Sequence, residues 1–151
     1  MASDVVRKSV TVHVPVEKAF GVFTAGMDSW WIREHHLGTG ALKEVVLEGR
    51  PGGRWYEVSV DGTEWPWGRV LQWEPPHRLV LAWQIDATWH FDPDLLTEVE
   101  VRFVADGPDR TLVELEHRHL ERFGPAQDTM REGFESPGGW QSLLDCFAGA
   151  A

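Results

Sequence analysis

Six of the chain's nine tryptophans lie between Trp55 and Trp89, in the run WYEVSVDGTEWPWGRVLQWEPPHRLVLAWQIDATW. Asp61-Gly62 and Pro75-Pro76 are turn signals, so the run divides into three consecutive strands joined by tight turns. Tryptophan is bulky, stiff and unfavourable to leave in water. A cluster of indoles on short strands therefore builds a heavy core or lines a cavity for an apolar guest.

The flanking segments extend this sheet. Val6, Lys8, Val10, Val12 and Val14 alternate with polar residues between Val5 and Val14, the pattern of a half-buried strand. Pro15 ends it, and Val16, Ala19, Phe20 and Phe23 then recur at helical spacing. Asp28 or Ser29 can cap a second short helix holding Trp30, Trp31 and Ile32. Leu42 to Glu48 reads as a strand, with a turn at Arg50-Pro51-Gly52-Gly53. Thr97 to Phe103 and Thr111 to Arg118 alternate as two more strands. After Phe123-Gly124-Pro125 the pattern turns helical and irregular. Ser136-Pro137 is a helix start signal, and Trp140, Leu143, Leu144 and Phe147 form one apolar stripe behind it. The expected architecture is α+β: about seven antiparallel strands, two short helices after the first strand, and a terminal helix on the sheet's concave face. With 151 residues and neither linker nor repeat, residues 1–151 read as a single domain.

Composition narrows the functional classes. The formal net charge of −10, with no basic cluster, disfavours nucleic acid and anionic membrane surfaces as partners. One cysteine, Cys146, excludes an internal disulfide and any CxxC motif, and it reads as a packing or half-buried thiol. No apolar run is long enough for a membrane span, and the N-terminus has no signal-peptide pattern, so a cytoplasmic location is expected. No motif calls for a cofactor: Gly52-Gly53 is not followed by a phosphate-loop lysine, and no G-x-S-x-G elbow is present.

The segments GGRWYE, WGRVLQWEPPHRLVLAW, LTEVEVRF, TLVELEHRHLERFG and GGWQSLLDCFA resemble the START-like, or SRPBCC, superfamily. Within it they are similar to the Aha-type domain, named after activators of a heat-shock chaperone's ATPase. The resemblance spans essentially the whole chain; EPPHRLVLAW and the Gly139-Trp140 helix start are its most specific parts. It implies a helix-grip fold, a curved sheet wrapped around a C-terminal helix with a cavity between them. It also implies hydrophobic ligands, cyclase- or hydrolase-type activity in some members, and chaperone assistance or stress response in others. Ser136 to Gly139 depart from the single long helix so implied. A shorter helix would leave one cavity end closed only by loop, making an entrance.

Several residues are candidates for the site. Trp83 shares a strand face with Leu79, Leu81 and Ile85, so it should face the cavity. His117 continues the apolar face of Val113 and Leu115, with Trp140 as a neighbour; it is either a proton-moving or ligand-orienting group, or a core histidine bonded within the protein. Glu57 follows Trp55 in parity: both point inward, making Glu57 an acid/base candidate, or Tyr56, Val58 and Val60 do and Glu57 is solvated. His117 and His119 could share a metal only with a third ligand that no spacing supplies, so no metal is expected. The candidate ligand-binding set is Trp31, Trp55, Trp83, Trp89, Leu115, His117, Trp140 and Leu144. Trp65, Trp67 and Trp73 form a separate parity set: a bulge near Pro66-Trp67-Gly68 turns it inward, or it is a surface patch for a chaperone-type partner or a homodimer. The leading expectation is a binder of a hydrophobic, ring-containing small molecule. The alternatives are a cyclase or hydrolase using Glu57 or His117, and an interaction module.

Overall fold

The computed structural model describes residues 5–151. Among them a seven-stranded antiparallel sheet runs in the order β1-β7-β6-β5-β4-β3-β2. The strands are β1 (Val6–Val12), β2 (Leu42–Leu47), β3 (Arg54–Ser59), β4 (Glu64–Glu74), β5 (Arg78–Trp83), β6 (Thr97–Ala105) and β7 (Thr111–Arg118). Thus β2 to β7 form a continuous meander, and β1 returns to pair with β7. Two short helices, α1 (Val16–Phe23) and α2 (Met27–Trp30), follow β1. A 3-10 segment (Leu120–Ala126), α3 (Gln127–Glu135) and α4 (Trp140–Ala150) complete the chain. This is the curled half-barrel with a terminal helix expected of a helix-grip α+β fold.

Irregular strand pairing curls the sheet and sets which side chains face in. Trp55 pairs with Gly68 but Tyr56 pairs with Pro66, leaving Trp67 as an extra residue in β4. A second shift, between Val70 and Gln72, leaves Leu71 unopposed. Each extra residue bends the strand and inverts the parity beyond it. Trp67, 2 % exposed, therefore points inward together with Val70, while Trp65 and Trp73 are half-buried. The expected surface patch of Trp65, Trp67 and Trp73 is not there; the bulge alternative describes the strand. Gly68 sits where this crowding is worst: a Cβ on it would lie 1.7 Å from the Ala82 carbonyl oxygen in β5.

The helices close the inner face. In α1, Val16, Ala19, Phe20 and Phe23 are buried. Phe20 meets Trp73 at 5.0 Å and Phe103 at 5.1 Å between ring centroids, and Phe23 meets Phe147 of α4 at 5.2 Å. Three local expectations need correction. Asp28 lies inside α2 and does not cap it; its Oδ1 instead accepts N–H bonds from Val45 and Arg33 at 2.9 and 2.8 Å. The terminal helix starts at Trp140 after Gly139, not at Ser136-Pro137. Gly139 has no room for a side chain, since a Cβ would lie 2.5 Å from both the Gly133 and Phe134 carbonyl oxygens, and this close approach ends α3 against the start of α4. Cys146 is exposed, because Leu143, Leu144 and Phe147 take the buried face of α4.

The outer face is held by charge. Glu100, 6 % exposed, accepts hydrogen bonds from Arg78 and Arg118 on the neighbouring strands. Burial pushes its carboxyl up, and the two guanidiniums outweigh that and hold it below the ordinary carboxylate range. Arg118 also donates to Glu98 at 2.8 Å.

Gly68→Ala should destabilise the fold by about 3 kcal/mol or more, because backbone rather than a flexible side chain blocks the methyl. Urea unfolding of the variant beside the parent protein measures this directly.

Candidate functional site

A cavity of about 600 Å³ opens between the sheet, the loop after α2, α3 and the start of α4. Its floor is buried and mainly aromatic: Trp31, Trp67, Trp83, Phe134 and Trp140, with Ile85, Met130 and Leu143. Its rim is exposed: Glu34 and His35, Trp89, Thr129 and Gly133, and Gly138 in the α3–α4 turn. The break in the terminal helix thus forms part of the mouth, as the Ser136–Gly139 run led us to expect. Such a volume suits a drug-sized organic molecule.

The indoles are fixed by packing and by hydrogen bonds. Trp31 and Trp67 lie 4.8 Å apart between centroids, and Trp83 lies 5.6 Å from Trp140. Trp31 donates to the His35 carbonyl at 2.8 Å, Trp83 to the Ile85 carbonyl at 3.1 Å and Trp67 to Glu57 at 2.8 Å. A buried indole whose N–H is satisfied keeps a defined orientation, so the floor is preorganised. Trp89 differs: it is 55 % exposed and adopts a left-handed backbone, φ 62°. That conformation is uncommon for a bulky residue and is held by a tight turn, in which Asp86 Oδ1 accepts from the Thr88 and His90 amides at 2.9 and 3.1 Å.

Of the residues expected to contact a ligand, Trp31, Trp83, Trp89 and Trp140 line the cavity, whereas Trp55, Leu115, His117 and Leu144 do not. Trp55 stands behind the wall, 5.4 Å from Trp67 and 5.9 Å from Trp83 between centroids. Leu115 and Leu144, each 1 % exposed, belong to the core.

His117 is fully buried, and both of its ring nitrogens are occupied. Trp140 Nε1 donates to Nδ1 at 3.1 Å, so Nδ1 is the unprotonated nitrogen. Nε2 therefore carries the hydrogen and donates to Thr97 Oγ1 at 2.8 Å; that hydroxyl in turn donates to the Trp83 carbonyl at 3.0 Å. The chain of donors is consistent only with a neutral ring. Burial lowers the His117 pKa from its ordinary 6.5 to about 3. His117 thus orients Trp140 and Trp83 and has no free nitrogen for a ligand. His119 departs from it through a left-handed kink and lies 3.7 Å from Glu98, so the pair shares no face. No cluster of three metal-ligating side chains occurs among the described residues.

Glu57 takes the inward register together with Trp55 and is fully buried, while Val60 is exposed. The carboxylate does not reach the cavity. It accepts three N–H bonds: from Trp67, from Gly38 at 3.2 Å and, very short, from Leu37. These donors satisfy the buried anion, which is why the apolar-inside register loses. Glu57 ties the loop after α2 to the floor.

Sequence reasoning missed Trp67, His35, His36, Leu37 and Phe134 at the cavity. Trp67 had been left between an inward bulge and a surface patch, and the bulge brings it in. The histidine pair was visible, but nothing in its spacing showed where the loop would fold.

A match to the family described as Activator of Hsp90 ATPase homolog 1-like protein extends over residues 13–150, and the chain belongs to that family. Its structure is similar to that of an anthrahydroquino-gamma-pyrone synthase, Txn09, with 40% identity, coverage of 99% of this chain and 97% of that one, and a TM-score of 0.69. It is also similar to the self-sacrificing resistance protein CalC from Micromonospora echinospora, at 33% identity, covering 97% of this chain and 92% of that one, with a TM-score of 0.72. An Aha1 dimer from Colwellia psychrerythraea shares the fold at 13% identity, covering 97% of this chain and 91% of that one, with a TM-score of 0.62. No curated protein sequence matches significantly.

Neutral His117 makes stability depend on pH with a definite sign. Its folded pKa lies below its unfolded value, so the unfolded chain binds the proton first, and stability is lost as pH falls from about 6.5 towards 3. His117→Gln should remove roughly 1.4 kcal/mol per pH unit from that slope. Urea unfolding at a series of pH values across the window will show it.

Proposed function

We propose that the protein binds a hydrophobic, ring-containing small molecule, and that a polycyclic aromatic is the class that fits best. The observation that carries this reading is a cavity of about 600 Å³ whose floor is built from indoles with defined orientations. Flat faces held apart by packing suit a fused-ring guest, which loses little conformational entropy on binding. Two relatives of substantial identity support it by name, one a synthase of anthrahydroquino-gamma-pyrones and the other a resistance protein. Trp31, Trp83, Trp89 and Trp140 are the proposed contacts from the original set, with Trp67 added. No described helix is long and apolar enough to cross a membrane. The net charge of −10 supports a reading without nucleic acid or an anionic membrane surface as partner.

An enzymatic reading is favoured by the likeness to a synthase. Glu57 and His117 are poor candidates for it, because neither reaches the cavity. A reaction there would draw on the polar groups of the 34–37 loop.

Anthraquinone-2-sulfonate should quench intrinsic tryptophan emission saturably. The absence of quenching up to the probe's solubility limit would count against the cavity reading. Trp89→Ala should weaken binding by roughly five- to twentyfold, the loss expected for one aromatic contact of about 1–2 kcal/mol, without changing the urea midpoint. Isothermal titration of both proteins checks this.

A further inference from the structure

We infer that His36 is the polar anchor of the cavity, held by Glu57 so that its Nε2 accepts a hydrogen bond from an acidic hydroxyl, phenolic or enolic, on an aromatic ligand. The inference rests on the reading that the cavity holds such a ligand and goes on to name the group that orients it.

The argument starts from the buried carboxylate. An anion with no exposure is tolerated only when its lone pairs are filled. Two of the three donors to Glu57 are the amides of Leu37 and Gly38, the residues immediately after His36. The same contact that satisfies the anion therefore clamps the loop that carries the histidine.

The ring itself is oriented. His36 Nδ1 lies 3.0 Å from the Gly38 carbonyl oxygen. A carbonyl can only accept, so Nδ1 carries the hydrogen, and in the neutral tautomer so selected Nε2 is the nitrogen with the lone pair. Nε2 has no hydrogen-bond partner among the described residues, and His36 lines the cavity. Glu57 Oε2 lies 3.9 Å from Nδ1. That charge favours hydrogen-bond acceptance at Nε2, because it compensates any positive charge drawn onto the ring. A histidine with one unpartnered nitrogen thus stands in a mainly aromatic wall. By contrast, His117 has both nitrogens occupied within the protein.

Glu57 is accordingly a positioning residue. The ligand class that exploits the arrangement is a fused aromatic with a hydroxyl at one edge: rings on the indole floor, O–H directed to His36.

The test compares 2-hydroxyanthraquinone with 2-methoxyanthraquinone, which keeps the rings and removes the donor. The parent protein should bind the hydroxyl compound about tenfold more tightly, the ratio expected for one hydrogen bond near an ionisable group. His36→Phe should abolish that preference, bringing the ratio of the two affinities to about one. Glu57→Gln should reduce the preference and speed amide exchange at Leu37 and Gly38. Because either variant could fold poorly, the same question is put to the parent protein by nitrogen NMR: the Nε2 resonance of His36 should move with the hydroxyl compound and stay in place with the methoxy compound. Equal affinities with an unmoved resonance would overturn the anchor and leave the cavity reading intact. If neither compound bound, the cavity reading would fall and the anchor with it.

Discussion

The carboxylate of Glu57 is the interaction on which the cavity depends. It lies fully buried on the concave face of the sheet, where an unpaired charge would be prohibitive. Its three N–H partners come from two places, the bulged residue Trp67 of the adjacent strand and the loop between α2 and β2. Satisfying one anion therefore fixes an indole of the floor and the loop that forms one side of the mouth. A hydrophobic residue at this position could fill the space, but it would leave both elements without an anchor.

The two faces of the sheet follow different rules. Inside, rings meet rings from Trp73 and Phe20 at one end to Trp140 and Phe134 at the other. Burial and edge-to-face packing supply the cohesion there, and the indole nitrogen of Trp55 is buried without a hydrogen-bond partner. Outside, Glu98, Glu100, Arg78 and Arg118 form a connected ion-pair network across β5, β6 and β7. Two satisfied polar centres, Glu57 and His117, organise the interior beside the cavity. The first supports a wall and a loop, and the second holds Trp140 and, through Thr97, the backbone at Trp83. The space these centres frame has a mainly aromatic floor, with polar groups of the 34–36 segment on one side.

Much of this order is written in local patterns. The alternation of Thr97, Val99, Val101 and Phe103 and of Thr111, Val113, Leu115 and His117 states which side chains face in, because a strand has a period of two. Turn residues at Asp61-Gly62 and Pro75-Pro76 separate the tryptophan-rich strands where the structure separates them. The placement of His117 against Trp140 was legible for the same reason. The Ser136–Gly139 run announced a break in the terminal helix, although the helix restarts later than the cap signal suggests, because Gly139 must pass within touching distance of the α3 backbone.

The tryptophan-rich run that constrained the fold also marks the limit of what sequence alone determines. Sequence determined the strands, their turns, the inward face of Trp83 and the need for either a heavy core or an aromatic cavity. It left Trp67 between an inward bulge and a surface patch, and Glu57 between two registers. Tertiary structure decided both, through one extra residue in β4 and three N–H groups brought to one carboxylate from residues 10, 19 and 20 positions away. Pro66 and Gly68 allow a bulge without dictating that it forms, and the donors that make a buried anion tolerable are distant in sequence. Periodicity reports how a segment faces its own sheet; it carries no information about which loop will later cross above it.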